Sequence, residues 1–471
     1  MRKKHENTSD VTRLILKARD MAREEVQAVP EPELTRPVEW PVTCTVGPGL
    51  EGAIACETKI GYVNGTKGAL IYRGYDIFDL CAYSTFEEVS YLLVHGELPN
   101  ETQLKAFKAK LSEYRRVPKT VRLLMGFPIA ELTPMAALRM GTNLMRQEFT
   151  WTDLDEGQSP EGRMISADED SIPMETKPRG ERKAVYEFKS SPPKRPRTID
   201  PKLHHTACLQ SAYHLIAGVA SVAGAVNRVR NGGLPLEPDD SLSHAGNLIY
   251  MITGRKPTPV EERVMDVALI LHADHGMNAS TFAAMVTAST LSDMFFAVGA
   301  GIGALSGPLH GGANEEVIEM LQEIGTVENV KPWYREALAE KRRIMGFGHR
   351  VYKAYDPRAR VLAPMVEYMA RGNRESRSLF RIARALEKKV VPTLGKSKGI
   401  FPNVDFYSGI LYACMGIPPE MFTPIFAVSR VSGWTARVLE YLENNRIFRP
   451  RALYAGPFDL EYRPIKKRGR D

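Results

Sequence analysis

Cysteine is scarce in this 471-residue chain. The five that occur, Cys44, Cys56, Cys81, Cys208 and Cys414, are odd in number, scattered and never closely paired. That excludes a disulfide framework and any zinc or redox motif built on neighbouring thiols. A reducing compartment is the simplest setting for such thiols, and a cytoplasmic location is expected. Long apolar runs are also missing: nowhere do 18 apolar residues follow one another. The first 39 residues mix Lys3, Lys4, Glu6, Asp10, Glu24 and Glu25 without an apolar core of signal-peptide length, so they are expected to form a tail leading into a helix. Export and membrane insertion are not expected. Organelle-targeting peptides usually lack acids, whereas this segment has several. Neither sign of charge dominates: 63 Lys and Arg against 56 Asp and Glu leave a net charge of +7, small for this length. A carboxylate or phosphorylated ligand suits that balance as well as a nucleic acid does. Internal repeats and heptad arrays are absent too.

What is present is ordinary globular composition, 43% hydrophobic and 25% charged, in a chain long enough for two or three units. From Cys44 to Tyr75 the residues alternate and turn, with Asn64-Gly65 a hairpin-type signal, which predicts a small β element. Helical periodicity then takes over. Thr85 and Glu88 have capping-box spacing, Phe86, Val89, Leu92 and Leu93 share a face, and Gly96 is a stop. Leu209 to Val229, Arg263 to His272 and Pro424 to Asn444 carry apolar residues at three- and four-residue spacing, the last with Thr423 as expected N-cap. The predicted fold is mainly α. One stretch, residues 147–200, breaks the pattern: acids dominate Glu148 to Glu175, bases dominate Lys177 to Arg197, and prolines punctuate both. It reads as a charged insertion too poor in apolar surface to offset the entropy of ordering it.

Four segments concentrate histidine, arginine and acid, mostly among glycines: His272-Ala-Asp274-His275-Gly-Met-Asn278, Gly307 to Asn314 around His310, Gly346 to Arg358 around His349, and Pro402 to Phe406 around Asp405. Three other readings compete. The H-A-D-H run matches the end of an H-x-H-x-D-H metal motif, but its first histidine would fall at Ile270, and no metal is expected. Gly299-Ala-Gly301-Ile-Gly303-Ala304 contains a dinucleotide-type glycine pattern, yet Ser289 to Val298 before it reads as helix and no P-loop lysine follows. A non-enzymatic scaffold would use the charged insertion, through Lys177 to Arg197, to hold a partner such as RNA.

The last three of these segments resemble the citrate synthase family in order and approximate spacing. The resemblance extends to Thr58–Tyr75, Phe86–Pro99, the H-A-D-H run, Ser429-Arg430 and Arg449-Pro450-Arg451, covering roughly Gly49 to Gly456 apart from the insertion. It implies a two-domain helical fold: a tail over 1–48, a large domain over 49–314 returning at 429–460, a small domain over 315–428, and a basic end at 461–471. It implies citrate synthesis from acetyl-CoA and oxaloacetate without a cofactor, by a homodimer or larger homo-oligomer. The resemblance assigns His310 and Asp405 to enolisation and His349 to polarising the keto acid. His275, Arg358, Arg430 and Arg449 match the family's carboxylate-binding groups, Arg449 reaching over from a second subunit. Lys353 falls where the family places a cation near CoA phosphates, and Arg350 is a second cation beside it. The chemistry asks for such types independently: a weakly acidic thioester α-proton needs a carboxylate base together with a donor for the enolate oxygen. A keto diacid needs guanidinium partners.

Overall fold

The computed structural model describes residues 7–26, 40–148, 201–460, 462 and 464–465, with backbone alone at 201–207 and 396. The charged insertion and the basic end therefore lie almost wholly outside the described residues.

The expected β element is a three-stranded antiparallel sheet of Gly61–Asn64 (β1), Ala69–Tyr72 (β2) and Tyr75–Asp76 (β3), with Gly61 opposite Tyr72 and Asn64 opposite Ala69. The turn is longer than a two-residue hairpin. Asn64 ends β1 and its Oδ1 accepts the Lys67 N–H at 2.9 Å, so residues 65–68 form the loop.

Helices make up the rest. Before the sheet stands α1 (Thr8–Val26); after it come α2 (Ile77–Tyr83), α3 (Phe86–His95), α4 (Glu101–Tyr114), α5 (Pro118–Met125) and α6 (Pro134–Leu144). Then follow α7 (Pro201–Arg230), α8 (His244–Thr253), α9 (Pro259–His272), α10 (Ala279–Ser289), α11 (Met294–Leu305) and α12 (Ala313–Ile324). The chain continues through α13 (Val330–Ala339), α14 (Pro357–Met369), α15 (Arg374–Val390), α16 (Asp405–Cys414) and α17 (Phe422–Leu442). Thr85 accepts the Glu88 N–H and Gly96 ends α3 at φ 91°, as its sequence requires.

Three local expectations are corrected. Residues 8–26 are not a lead-in tail: Val11, Ile15, Ala18 and Ala22 form a buried stripe that seats α1 against α2, α9 and α14. Intervening charges had obscured that stripe. Ser289 to Val298 is not one helix, because Leu291 takes φ 62° and Asp293 caps a new helix by accepting the Phe296 N–H at 3.0 Å. The glycine pattern then lies inside α11, with Gly301 against Trp434, so it serves helix packing. Thr423 is not an N-cap. A short turn at Pro419–Met421 runs straight into α17, leaving no extended residue at the cap. The Thr423 hydroxyl donates instead to the Gly311 carbonyl at 3.0 Å.

Every residue from Phe422 to Leu439 is buried, so α17 is the axis of the core, packed on α3, α7, α10 and α11. The Cys208–Arg230 part of α7 is long and apolar enough to cross a membrane by composition, and most of it is buried against neighbouring helices. A second group, α12 to α16, packs largely on itself, while α14 also touches α9 and α2. The candidate site histidines stand in loops: His275 between α9 and α10, His310 between α11 and α12, and His349 between α13 and α14.

Candidate active site

The site begins with a fixed turn. Asp274, after α9, holds Arg437 of α17 by two hydrogen bonds, Nε to Oδ1 at 3.1 Å and Nη2 to Oδ2 at 2.7 Å, both side chains buried. The Tyr72 hydroxyl donates to the Asp274 carbonyl at 2.8 Å. Asp274 is therefore engaged by an arginine, and no metal-binding group of His, Cys, Asp and Glu occurs among the described residues. Asn278 next caps α10 by accepting the Thr281 N–H at 3.0 Å. Between these anchors His275 is buried, its ring edge-on to His349 at 5.1 Å and its Nε2 3.2 Å from the Tyr352 hydroxyl. Burial, then the fields of Arg358 and His349, hold its pKa well below the ordinary value.

His310 stands in the turn joining α11 to α12. Its Nε2 accepts the Ser280 backbone N–H at 3.2 Å and lies 2.8 Å from the Ser280 hydroxyl. A backbone N–H only donates, so Nε2 is unprotonated and the neutral ring carries its proton on Nδ1. Burial, then Arg430, lowers the His310 pKa to about 4, which keeps the ring neutral. A Cβ on Gly311 beside it would meet the Leu305 carbonyl at 2.2 Å, so packing of the turn requires this glycine.

His349 shows the opposite tautomer. Its Nδ1 accepts the N–H groups of Val351 at 3.0 Å and Tyr352 at 3.2 Å, which leaves the proton on Nε2. Burial, then Arg358, lowers its pKa to about 4. The chain on either side is tied to the Asp405 segment. Gly348 donates to the Phe401 carbonyl at 2.8 Å, Asn403 donates to the Gly346 carbonyl at 2.9 Å, and the Asn403 amide donates to the Gly348 carbonyl at 2.9 Å. Gly346 has φ 75°, and a Cβ there would sit 2.8 Å from the Phe406 Cα, so only glycine allows this approach.

Asp405 opens α16, and its backbone N–H donates to Asn403 Oδ1 at 3.0 Å. The residue is half-buried, and desolvation by the surrounding protein raises its pKa from 3.8 to about 6 against the pull of Arg358 and Arg430. Arg358, in the first turn of α14, is buried with Asp356, which takes Nε at 3.0 Å and Nη2 at 2.8 Å. Arg430 is also buried in α17, where its Nε donates to the His272 carbonyl and its guanidinium lies 4.6 Å from the Phe426 ring centre. Among the described residues no carboxylate makes an ion pair with it, and burial lowers its pKa to about 10.

The structure thus gathers His275, His310, His349, Arg358, Asp405 and Arg430. Arg350 and Lys353 are exposed, Lys353 being anchored by its backbone N–H to the Gly65 carbonyl at 2.9 Å. Arg449 is exposed and donates to the Pro450 carbonyl at 3.2 Å; among the described residues it has no hydrogen bond or ion pair with this cluster. The sequence reading gave no role to Ser280, Tyr352, Asp356 or Arg437. Only their buried hydrogen bonds mark them.

The family profile described as citrate synthase, C-terminal domain, matches residues 49–451. The chain belongs to the citrate synthase family. The citrate synthase of Deinococcus radiodurans is 41% identical over 425 residues, covering 90% of this chain and 99% of that one. The 2-methylcitrate synthase of Shewanella oneidensis is 34% identical over 423 residues, covering 90% and 98%. Among solved structures, the citrate synthase of Pyrobaculum aerophilum is 38% identical with a TM-score of 0.75, covering 93% of this chain and 100% of that one. The Thermoplasma acidophilum citrate synthase, solved with carboxymethyl coenzyme A and oxaloacetate, is 31% identical with a TM-score of 0.74, covering 90% and 100%. Membership in this family makes the chain an acyltransferase of the citrate synthase type.

Proposed function

We propose that the enzyme condenses acetyl-CoA with oxaloacetate through an enol or enolate and then hydrolyses the citryl thioester, releasing citrate and CoA. The observation that carries this reading is the pair of neutral histidines with opposite tautomers, His310 and His349, in one cluster with Asp405. Asp405 removes the methyl proton, and His310 Nδ1–H stabilises the developing enolate oxygen. His349 Nε2–H polarises the keto carbonyl that the enol attacks. Arg430, buried without an ion-pair partner among the described residues, is suited to a substrate carboxylate, and Asp356 leaves Arg358 its Nη1 hydrogens and the second Nη2 hydrogen for one. His275 closes the keto-acid side.

In this proposal residues 315–428 form a small domain that closes on 49–314 and 429–460. Closure brings His349, Arg358 and Asp405 onto His275 and His310 and excludes water. Arg449 completes the site of a second subunit, Arg350 and Lys353 hold CoA phosphates, and the enzyme works in the cytoplasm.

The test separates enolisation from condensation. With a non-reacting keto-acid analogue bound, Asp405→Asn and His310→Ala should lose exchange of acetyl-CoA methyl protons with deuterated solvent. One lost oxyanion-type donor costs about a hundred- to thousandfold. His349→Ala should retain exchange but condense slowly. Loss in His349→Ala alone, with Asp405→Asn still exchanging, would show that the base is misassigned. Thiol release with acetyl-CoA and with propionyl-CoA identifies the acyl group.

A further inference from the structure

Behind the cluster lies a second buried arrangement that none of these roles uses. Glu387, in the C-terminal half of α15, is buried, and its carboxylate receives three donors from three places. The Tyr355 hydroxyl donates to Oε1; the Tyr407 hydroxyl donates to Oε2 at 2.5 Å; Arg384, one turn earlier on the same helix, donates to Oε2 as well. The two tyrosines come from the segments that carry the proposed chemistry. Tyr355 directly precedes Asp356, which caps α14 and orients Arg358, and it follows His349 by six residues. The Arg360 guanidinium lies 4.4 Å from its ring centre. Tyr407 is on α16, two residues after Asp405.

We infer that Glu387 is a positioning residue: its carboxylate, by accepting both Tyr355 and Tyr407, fixes the His349–Arg358 segment against the helix that carries Asp405. This rests on the roles proposed above for Asp405 and His349. Pairing with Arg384 alone would satisfy the charge locally, as an i, i+3 contact on one helix. The phenols add something different. Each places a buried hydroxyl on the same carboxylate from a separate chain segment, where phenylalanine would fill the space without the tie. A bridge between Phe347 and Pro402 joins the same two segments elsewhere. The base and the polarising histidine are then spaced by the backbone bridge, by the Asn403 side chain on the Gly348 carbonyl, and on the far side by Glu387. Catalysis depends on such spacing, since a displacement of about 1 Å can cost about a hundredfold in rate.

Tyr355→Phe, Tyr407→Phe, the double variant and Glu387→Gln provide the test, with Asp405→Asn run alongside. Removing either hydroxyl breaks the link, so each Phe variant should lower kcat for thiol release from acetyl-CoA about three- to tenfold. The KM for oxaloacetate should stay within about twofold of wild type, and methyl-proton exchange should fall in parallel with kcat. The double variant should resemble the singles, because loss of either phenol already breaks the tie through Glu387. Glu387→Gln should fall with them, having lost the charge that receives both phenols. Melting midpoints measured on all variants separate positioning from fold maintenance. Lowered midpoints with unchanged kcat and exchange in both Phe variants would overturn the inference, as would losses that multiply in the double variant. Retained exchange in Asp405→Asn would instead refute the assignment of the base.

Discussion

Replacing the proposed base should stabilise the protein that it inactivates. Asp405 carries a carboxyl whose pKa rises from 3.8 to about 6 on folding because burial disfavours the charge. The folded state therefore binds this proton more tightly than the unfolded chain does. Below the unfolded value both states are protonated and nothing is lost. Between about pH 4 and 6 the unfolded chain ionises first, so the penalty grows, and above pH 6 it is constant. The difference between 3.8 and about 6 corresponds to about 3 kcal/mol, already net of the pull of Arg358 and Arg430. Asn keeps the size and removes the charge. Urea midpoints of wild type and Asp405→Asn, at one fixed protein concentration, should thus differ little near pH 4. The variant should become more stable by up to about 3 kcal/mol above pH 7, while its methyl-proton exchange falls by orders of magnitude. Equal stability at pH 8 would refute the argument that burial raises this carboxyl.

Four further outcomes are expected. The acid limb of kcat/KM should have its midpoint near pH 6, where Asp405 takes up a proton, because His310 and His349 at about 4 remain neutral there; an acid limb midpoint near pH 4 would contradict this. Arg437→Met leaves Asp274 buried without its partner and should cost about 3–5 kcal/mol in denaturant unfolding, most of it recovered in the double variant with Asp274→Asn. Ile15→Ala empties a fully buried position between α1 and its neighbours and should cost about 2–5 kcal/mol, a loss that a peripheral, dispensable α1 would not show. Mixing Arg449→Ala with Asp405→Asn protein should restore activity through hybrid dimers once subunits exchange; full activity in an isolated monomer would exclude a shared site.

The residue types required by the reaction could be read directly from the sequence. His310, His349 and Asp405 stand in short glycine-bearing segments whose order resembles the family, and strong apolar periodicity marked α3, α9 and α17. Local capping chemistry could be read where one element ends and no partner intervenes, as at Thr85 and Gly96. It misled at Thr423, whose hydroxyl is used by a distant carbonyl; at α1 the mixed charges misled, because the apolar stripe is thin and gains its meaning from α2 and α14.

Protonation and orientation were decided by tertiary contacts. Nothing local to His310 specifies that Ser280, thirty positions earlier, occupies its Nε2, or that His349 folds its Nδ1 onto the amides that follow. Those partners turn two similar imidazoles into donors through opposite nitrogens. In the same way Asp405 and Arg430 are ordinary ionisable residues in sequence, and their altered acidities arise only because the surrounding fold desolvates them. The sequence determined which groups are present; burial and the hydrogen bonds between remote segments determined which proton each one holds, because desolvation and placed donors act through space.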